Sequence, residues 1–241
     1  MVHTTKDYSG LYKQERVYGN IDNAEISARN NLNNMFDRRG NVVWFDDFEH
    51  AGAIKWNQAI LTTGTIALTT ARSWMGNQSL LLTTTAVVNN YCYIAKTFSL
   101  PANHTLGAEI MFFIESGKPD ILMNFYGYNG TNVLASAFLY DYNADTLSYY
   151  NGAGGWTTLT VVDSSDFTEE HWIPMKMVVD WTNGYYVRLL FAGTEYAIPT
   201  QAINTTPNVT PQRISARITV RANTAAVCKV YLDNFILTQN E

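Results

Sequence analysis

The spacing of apolar residues changes once along this chain, near residue 40. Upstream, Ala28, Leu32, Met35 and Phe36 fall at i, i+4, i+7 and i+8 and draw one narrow apolar stripe, which predicts an amphipathic helix over Ile21–Arg39. Asp22 can cap its start, with Glu25 three residues later as in a capping box. Arg38 and Arg39 complement the dipole of the last turn, and Gly40 supplies the stop. Met1–Asn20 carries scattered apolar residues without a sustained period and reads as an arm. The helix stripe is too narrow for a buried helix, so it predicts docking on one surface, either the chain's own body or a partner.

From Asn41 onward the pattern is short apolar or alternating runs broken by Gly, Asn, Asp, Thr and Pro. The runs are Ala59–Ala67, Ser79–Thr85, Tyr91–Leu100, Leu106–Glu115, Ile121–Tyr128, Val133–Tyr142, Thr146–Tyr150, Trp156–Val162, Trp172–Trp181, Tyr185–Phe191, Thr194–Ile198, Arg213–Val220 and Ala226–Thr238. Thr182-Asn183-Gly184 is a tight-hairpin signal, and Pro199–Pro211 reads as a loop. Roughly a dozen strands with no helix between them predict an all-β, two-sheet antiparallel sandwich rather than a βαβ sheet. The opening stretch Asn41–Trp56, NVVWFDDFEHAGAIKW, and the closing stretch Val230–Leu237, VYLDNFIL, both carry acids amid β-forming residues. First and last strands lying side by side would bring those acids together. The expected organisation is an arm and helix over 1–40 and one sandwich over 41–241.

Composition narrows the possibilities. Charged residues are only 15% of the chain, and Asn, Thr, Ser and Tyr supply the polarity, which suits sheet faces rather than long solvated helices. A formal charge of −5 without a basic stripe argues against nucleic-acid partners. No apolar run reaches about 18 residues, so no membrane span is expected. MVHTTKDYSGLYKQ has no apolar segment of the secretory kind, which predicts synthesis in a cytoplasm. Cys92 and Cys228 are too few for a disulfide framework or a zinc site. They read as two buried thiols or one long-range bridge.

The order of WFDDFE, GNQSLLL, HWIPMKMVVDW–TNGYYVRLLFAGTEY and YLDNFIL resembles the concanavalin A-like, laminin-G-like jelly-roll sandwiches over roughly Asn41–Leu237. The stretch FDRRGNVVWFDDFE at Phe36–Glu49 also resembles the start of phage and prophage virion proteins that carry such a sandwich behind an N-terminal helix. That resemblance implies a virion structural subunit, a capsid decoration or part of a tail or fibre. The arm and the stripe Ala28, Leu32, Met35 and Phe36 would attach it to neighbouring subunits in a homo-oligomeric assembly. It implies a virion location and, for the outward sandwich, a host-surface glycan as a further partner.

Three kinds of chemistry can be sought in the body. Oxygen donors for calcium are available from Asp46, Asp47, Glu49 and Asp233. Alternate strand residues face opposite sides, so Asp47 and Glu49 share a face, Asp46 does not, and convergence of all four needs a bulge. The jelly-roll resemblance implies a structural calcium near the first and last strands, for which Asp47, Glu49 and Asp233 are the candidates. The same acids could instead cap turns or meet Arg217, Arg221 or Lys229. A sugar-binding face is the second possibility, because rings stack on pyranose faces while amides bond hydroxyls. Tyr126, Tyr128, Tyr142, Tyr150, Asn151 and Trp156 are the candidates, with Trp156 lifted by a Gly-rich loop; the alternative is that these tyrosines simply cover half-buried sheet. Catalysis is the third. The E-x-D-x-x-E strand motif of glycosidases on this sandwich is absent, and His3, His50, His104 and His171 form no recognisable triad. A non-enzymatic protein is therefore expected: a virion subunit, or alternatively a carbohydrate-binding module.

Overall fold

The computed structural model describes residues 37, 39–50, 54–60, 64–99, 104–163, 171–198 and 200–241. Apart from Asp37, Arg39 and Gly40, the predicted arm and helix lie outside the described residues, and the stripe Ala28, Leu32, Met35 and Phe36 lies outside with them. The described part is a sandwich of two eight-stranded antiparallel sheets, and no helix occurs among the described residues.

The first sheet runs β13 (Thr194–Ala197), β12 (Tyr185–Phe191), β11 (Ile173–Asp180), β6 (Thr105–Ser116), β16 (Lys229–Gln239), β4 (Ser79–Thr83) and β3 (Thr65–Thr69). In that sheet β1 (Asn41–Asp46) also pairs with β16. The second runs β10 (Trp156–Val161), β9 (Thr146–Tyr150), β8 (Asn132–Asp141), β7 (Pro119–Tyr128), β15 (Arg213–Ala222), β5 (Tyr91–Phe98) and β2 (Asn57–Ile60), and β14 (Asn204–Pro207) pairs with β8. First and last strands do lie side by side, as their matched patterns predict. Two expectations fail locally. Ala59–Ala67 is not one strand, since β2 and β3 belong to different sheets, and the loop Pro199–Pro211 contains the edge strand β14.

The period-2 alternation of the second sheet buries every other residue. Ile214, Ala216, Ile218 and Val220 of β15 point inward with Cys92 and Ile94 of β5 and Ile121, Met123 and Phe125 of β7. They meet Ala108, Ile110, Phe112, Met175, Met177 and Leu189 from the first sheet in one core. Cys92 and Cys228 are free and buried in it, and burial pushes the Cys92 thiol up to about 12, so it stays protonated and unreactive. Trp44, Trp56 and Phe235 pack edge-on where the first and last strands meet, with Trp44–Trp56 centroids 5.4 Å apart and Trp56–Phe235 4.9 Å.

Two long strands change neighbours partway along, and each change leaves backbone groups to satisfy. The last strand, β16, pairs with β4 over Lys229–Leu232 and with β1 from Phe235 on, and a bulge at Asp233–Asn234 marks the change. Asn234 there has φ of +48°, a left-handed conformation that Asn tolerates better than most residues. β8 pairs with β14 over Asn132–Ala135 and with β9 from Phe138 on. At that gap Tyr186 reaches across the core from β12. Its hydroxyl accepts from the Ala137 amide at 2.9 Å and donates to the Tyr150 carbonyl at 2.8 Å.

Candidate functional site

The outward positions of the second sheet carry the richest surface. On β15 these are Arg213, Ser215, Arg217, Thr219 and Arg221; on β7 they include Asn124, Tyr126 and Tyr128; on β5, Tyr91 and Tyr93. Register brings Ala95, Arg217, Asn124 and Ala137 into one cross-strand row, and Tyr150 faces Trp156 at the same end of the sheet. Strands lie about 4.8 Å apart, so the four steps from Arg217 to Trp156 span about 19 Å. Short side chains at Ala95, Ala135 and Ala137 leave a floor between half-buried rings, and Trp156 stands at one end, 44% exposed.

Arg217 is the centre of this face. Its guanidinium lies 4.4 Å from the Tyr93 ring centroid and 5.6 Å from that of Tyr126, and Arg213 lies 4.8 Å from the Tyr128 ring. Neither arginine has a carboxylate within ion-pair distance among the described residues, and Arg217 Nε is buried with no hydrogen-bond partner. Burial pushes the Tyr126 phenol up, Arg217 pulls it down, and the nearby Tyr128, Tyr150 and Tyr93 push it up again. Two of these rings, Tyr93 and Tyr126, flank the Arg217 guanidinium. Arg221 differs, for its Nε donates to Asp120 Oδ2 at 2.7 Å, and Asn223 ties Asp120 and Asp141 together at 2.9 and 2.8 Å.

The residues predicted for sugar binding separate into three groups. Tyr126, Tyr128, Tyr150 and Trp156 share the outer face, and the last two rings are 5.5 Å apart. Asn151 spends its side chain on the loop that presents Trp156: Oδ1 accepts from Ala153 and Gly155 amides, and Nδ2 donates to Thr157 Oγ1. Tyr142 packs at the opposite end of the sheet against core Tyr140, 5.9 Å between centroids. Tyr93, Asn124, Arg213 and Arg217 were not anticipated as site residues. The alternation RISARITVRA does signal outward arginines, but which rings they meet depends on pairing partners some ninety or more residues away, at Asn124 and Ala95.

The acids collect at the β16 bulge and the turn after β1. Asp233 is fully buried; its Oδ2 accepts from Trp74 and Met75 amides at 2.7 and 3.3 Å and its Oδ1 from the Asn234 amide at 2.8 Å. Burial first, and Glu49 in addition, push the Asp233 carboxyl up to about 7. Glu49 Oε1 accepts from Asn77 and Gln78 amides at 2.6 and 2.7 Å, so both acids hold the segment before β4. Asp47 Oδ1 accepts from the Glu49 amide at 3.1 Å. The ligand atoms that cluster within 4.8 Å are those of Asp46, Asp47 and His50, not the predicted set Asp47, Glu49 and Asp233. Asp46 itself accepts from the Phe48 amide at 3.0 Å and from Trp56 Nε1 at 2.9 Å. None of these acids meets Arg217, Arg221 or Lys229; Lys229 lies 4.0 Å from Glu115. Glu49 and Asp233 together suit a hard cation, since both are oxygen donors and Asp233 has no cationic partner among the described residues. The imidazole in the other cluster suits a borderline metal better than calcium.

No family model matches the sequence, and no curated protein matches it either. Among solved structures the chain is similar to an endo-β-1,4-glucuronan lyase from the fungus Trichoderma reesei, with TM-score 0.54 and 12% identity over 82% of this chain and 95% of that one. It is similar to a cellulose-induced protein at TM-score 0.54 and 13% identity, over 81% of this chain and 96% of that one. It is also similar to a sialidase at TM-score 0.52 and 10% identity, over 84% of this chain and 19% of that one. Identities this low show a shared fold, the jelly-roll sandwich of concanavalin A-like type. The expectation that the chain is not an enzyme is overturned here. A lyase matched over 95% of its own length has this fold, so the absence of the glycosidase strand motif does not exclude catalysis on it.

Proposed function

We propose that the outer face of the β10–β5 sheet binds carbohydrate. The observation that carries this is the cross-strand arrangement of Tyr93, Tyr126, Tyr150 and Trp156 around a floor of alanines, with Asn124 and Arg217 between them. Ring faces offer stacking surfaces to pyranoses, and amide and guanidinium groups offer in-plane bonds to hydroxyls. Two of the similar structures are named for carbohydrate substrates, which supports the same reading. Isothermal titration of the full chain against a panel of oligosaccharides tests it. At least one is expected to bind, with Trp156→Ala and Tyr126→Ala each weakening affinity several-fold; a panel without a binder, or binding indifferent to both changes, counts against it.

The setting we propose for that face is the outside of a virion, with residues 1–40 attaching the sandwich to neighbouring copies. It is supported by the sequence pattern and resemblance of those residues. Deleting Met1–Gly40 is expected to abolish particle incorporation while leaving sugar affinity unchanged. We propose in addition a structural calcium held by Glu49 and Asp233. Calcium would fix the turn after β1 and the segment before β4 against the bulge, and it is expected to raise the melting temperature in a manner reversed by EGTA.

A further inference from the structure

We propose that the carbohydrate held on this face is an acidic one, a uronate or other carboxylated sugar, with Arg217 as the group that recognises its carboxylate. The inference rests on the carbohydrate reading and adds the substrate class to it.

Four observations converge on it. First, the Arg217 guanidinium lies over the rings of Tyr93 and Tyr126, at 4.4 and 5.6 Å, and is held by ring contacts rather than by an acid. Second, Nε is buried without a hydrogen-bond partner while the terminal nitrogens are not buried, so the guanidinium has donors left to engage an arriving acceptor. Third, the outward positions of β5, β15, β7, β8, β9 and β10 hold no Asp or Glu apart from Asp120 and Asp141, at the far end, where Arg221 and Asn223 engage them. An incoming carboxylate at Arg217 therefore meets no competing acid on the sheet, although the chain as a whole carries a charge of −5. Fourth, Arg213 stands four residues away on the same face, stacked on Tyr128 at 4.8 Å, and adds a second positive edge. A planar guanidinium flanked by rings and donating through its two terminal nitrogens, which are not buried, matches the two oxygens of a carboxylate, as a lysine in the same place would not.

The test titrates the full chain with an oligouronate and with the same oligosaccharide after its carboxyl groups are reduced to alcohols. The acidic form is expected to bind about tenfold or more tightly than the reduced form, since a charge-assisted bidentate pair is lost on reduction. The advantage should shrink at high salt. Arg217→Met is expected to erase the difference between the two forms, and Arg217→Lys to restore little of it. Arg213→Met, with both variants shown folded by their melting curves, should remove a smaller part. Equal affinity for both forms overturns the acidic assignment while leaving the carbohydrate reading intact. A sulfated oligosaccharide bound as tightly as the uronate, with Arg217→Lys fully active, overturns it in favour of an unspecific anion site. Failure of both forms to bind, alongside an empty panel of neutral sugars, overturns the carbohydrate reading itself.

Discussion

The β16 bulge and the outer face of β15 are mirror images in charge. At the bulge, Asp233 is a buried carboxylate without a cation among the described residues; on the sheet, Arg217 is a half-buried guanidinium without a carboxylate. Elsewhere the molecule neutralises its buried charges internally. Asp120 takes Arg221, and the Glu241 side chain takes both Lys176, at 2.7 Å, and Arg188. The contrast teaches where this fold leaves an opening for something from outside. The acidic opening sits where β16 changes neighbours, because an interrupted ladder leaves room and backbone donors that a continuous ladder would consume, whereas Arg217 stands on a strand paired without a break on both sides.

The largest expected effect is at the bulge. The Asp233 carboxyl is raised from 3.8 to about 7, so the protonated form is the one the folded state favours. Its contribution to stability is present below pH 4 and is lost as pH rises to and through about 7. A shift of that size corresponds to a few kcal/mol, on the order of 1.4 per pH unit. Denaturation of the wild type against Asp233→Asn in EGTA should therefore show the wild type losing ground between about pH 4 and pH 7. Added calcium should cancel that loss by pairing the ionised form. A difference between the two proteins that stays flat across this range, with or without calcium, would break the comparison at its acidic end.

The paired and unpaired arginines of β15 should separate next. Asp120→Ala leaves Arg221 and Asn223 without their buried acceptor and should cost roughly 2 kcal/mol in denaturant melts, with part of the Arg221 charge recovered by solvent. Arg217→Met should cost less than about 1 kcal/mol, yet it is the change that removes preference for acidic sugars. Equal stability losses would mean that Arg217 is held by its own structure, as Arg221 is.

Below the Asp120→Ala loss comes Tyr186→Phe, which strips the hydroxyl from the gap in β8 and leaves the Ala137 amide and Tyr150 carbonyl unsatisfied, at roughly 1–2 kcal/mol. Because that carbonyl belongs to the residue facing Trp156, sugar affinity should fall a few-fold as well. Trp156→Ala, by contrast, should leave stability within about 0.5 kcal/mol because the ring is largely solvated, and should act on affinity alone.

The sandwich was legible from the sequence because period-2 burial and turn residues are local signals. The meeting of β1 with β16 followed from two matched apolar runs. The tyrosines of β7 and β9 and Trp156 were legible as a set because they lie within some thirty residues joined by hairpins. Arg217 was not, since its meaning comes from β5 and β7 on either side, far away in sequence. Tyr142 lies one residue beyond β8 with the parity of the core residues Phe138 and Tyr140, so its ring packs against Tyr140 and not on the outer face. The acids were legible as neighbours, but their grouping was not. Strict alternation separates Asp46 from Asp47, and only the left-handed Phe48, at φ +56°, lets the turn bring Asp46, Asp47 and His50 together.

The most direct measurement is the Nη–Hη resonance of Arg217, assigned by comparison with Arg217→Lys, during titration with an oligouronate. The account predicts that this resonance moves downfield and becomes protected from exchange as the acidic sugar binds, and that the carboxyl-reduced sugar leaves it in place. An unmoved resonance under saturating oligouronate, with shifts appearing elsewhere in the protein, would contradict the assignment of Arg217 as the carboxylate-binding group.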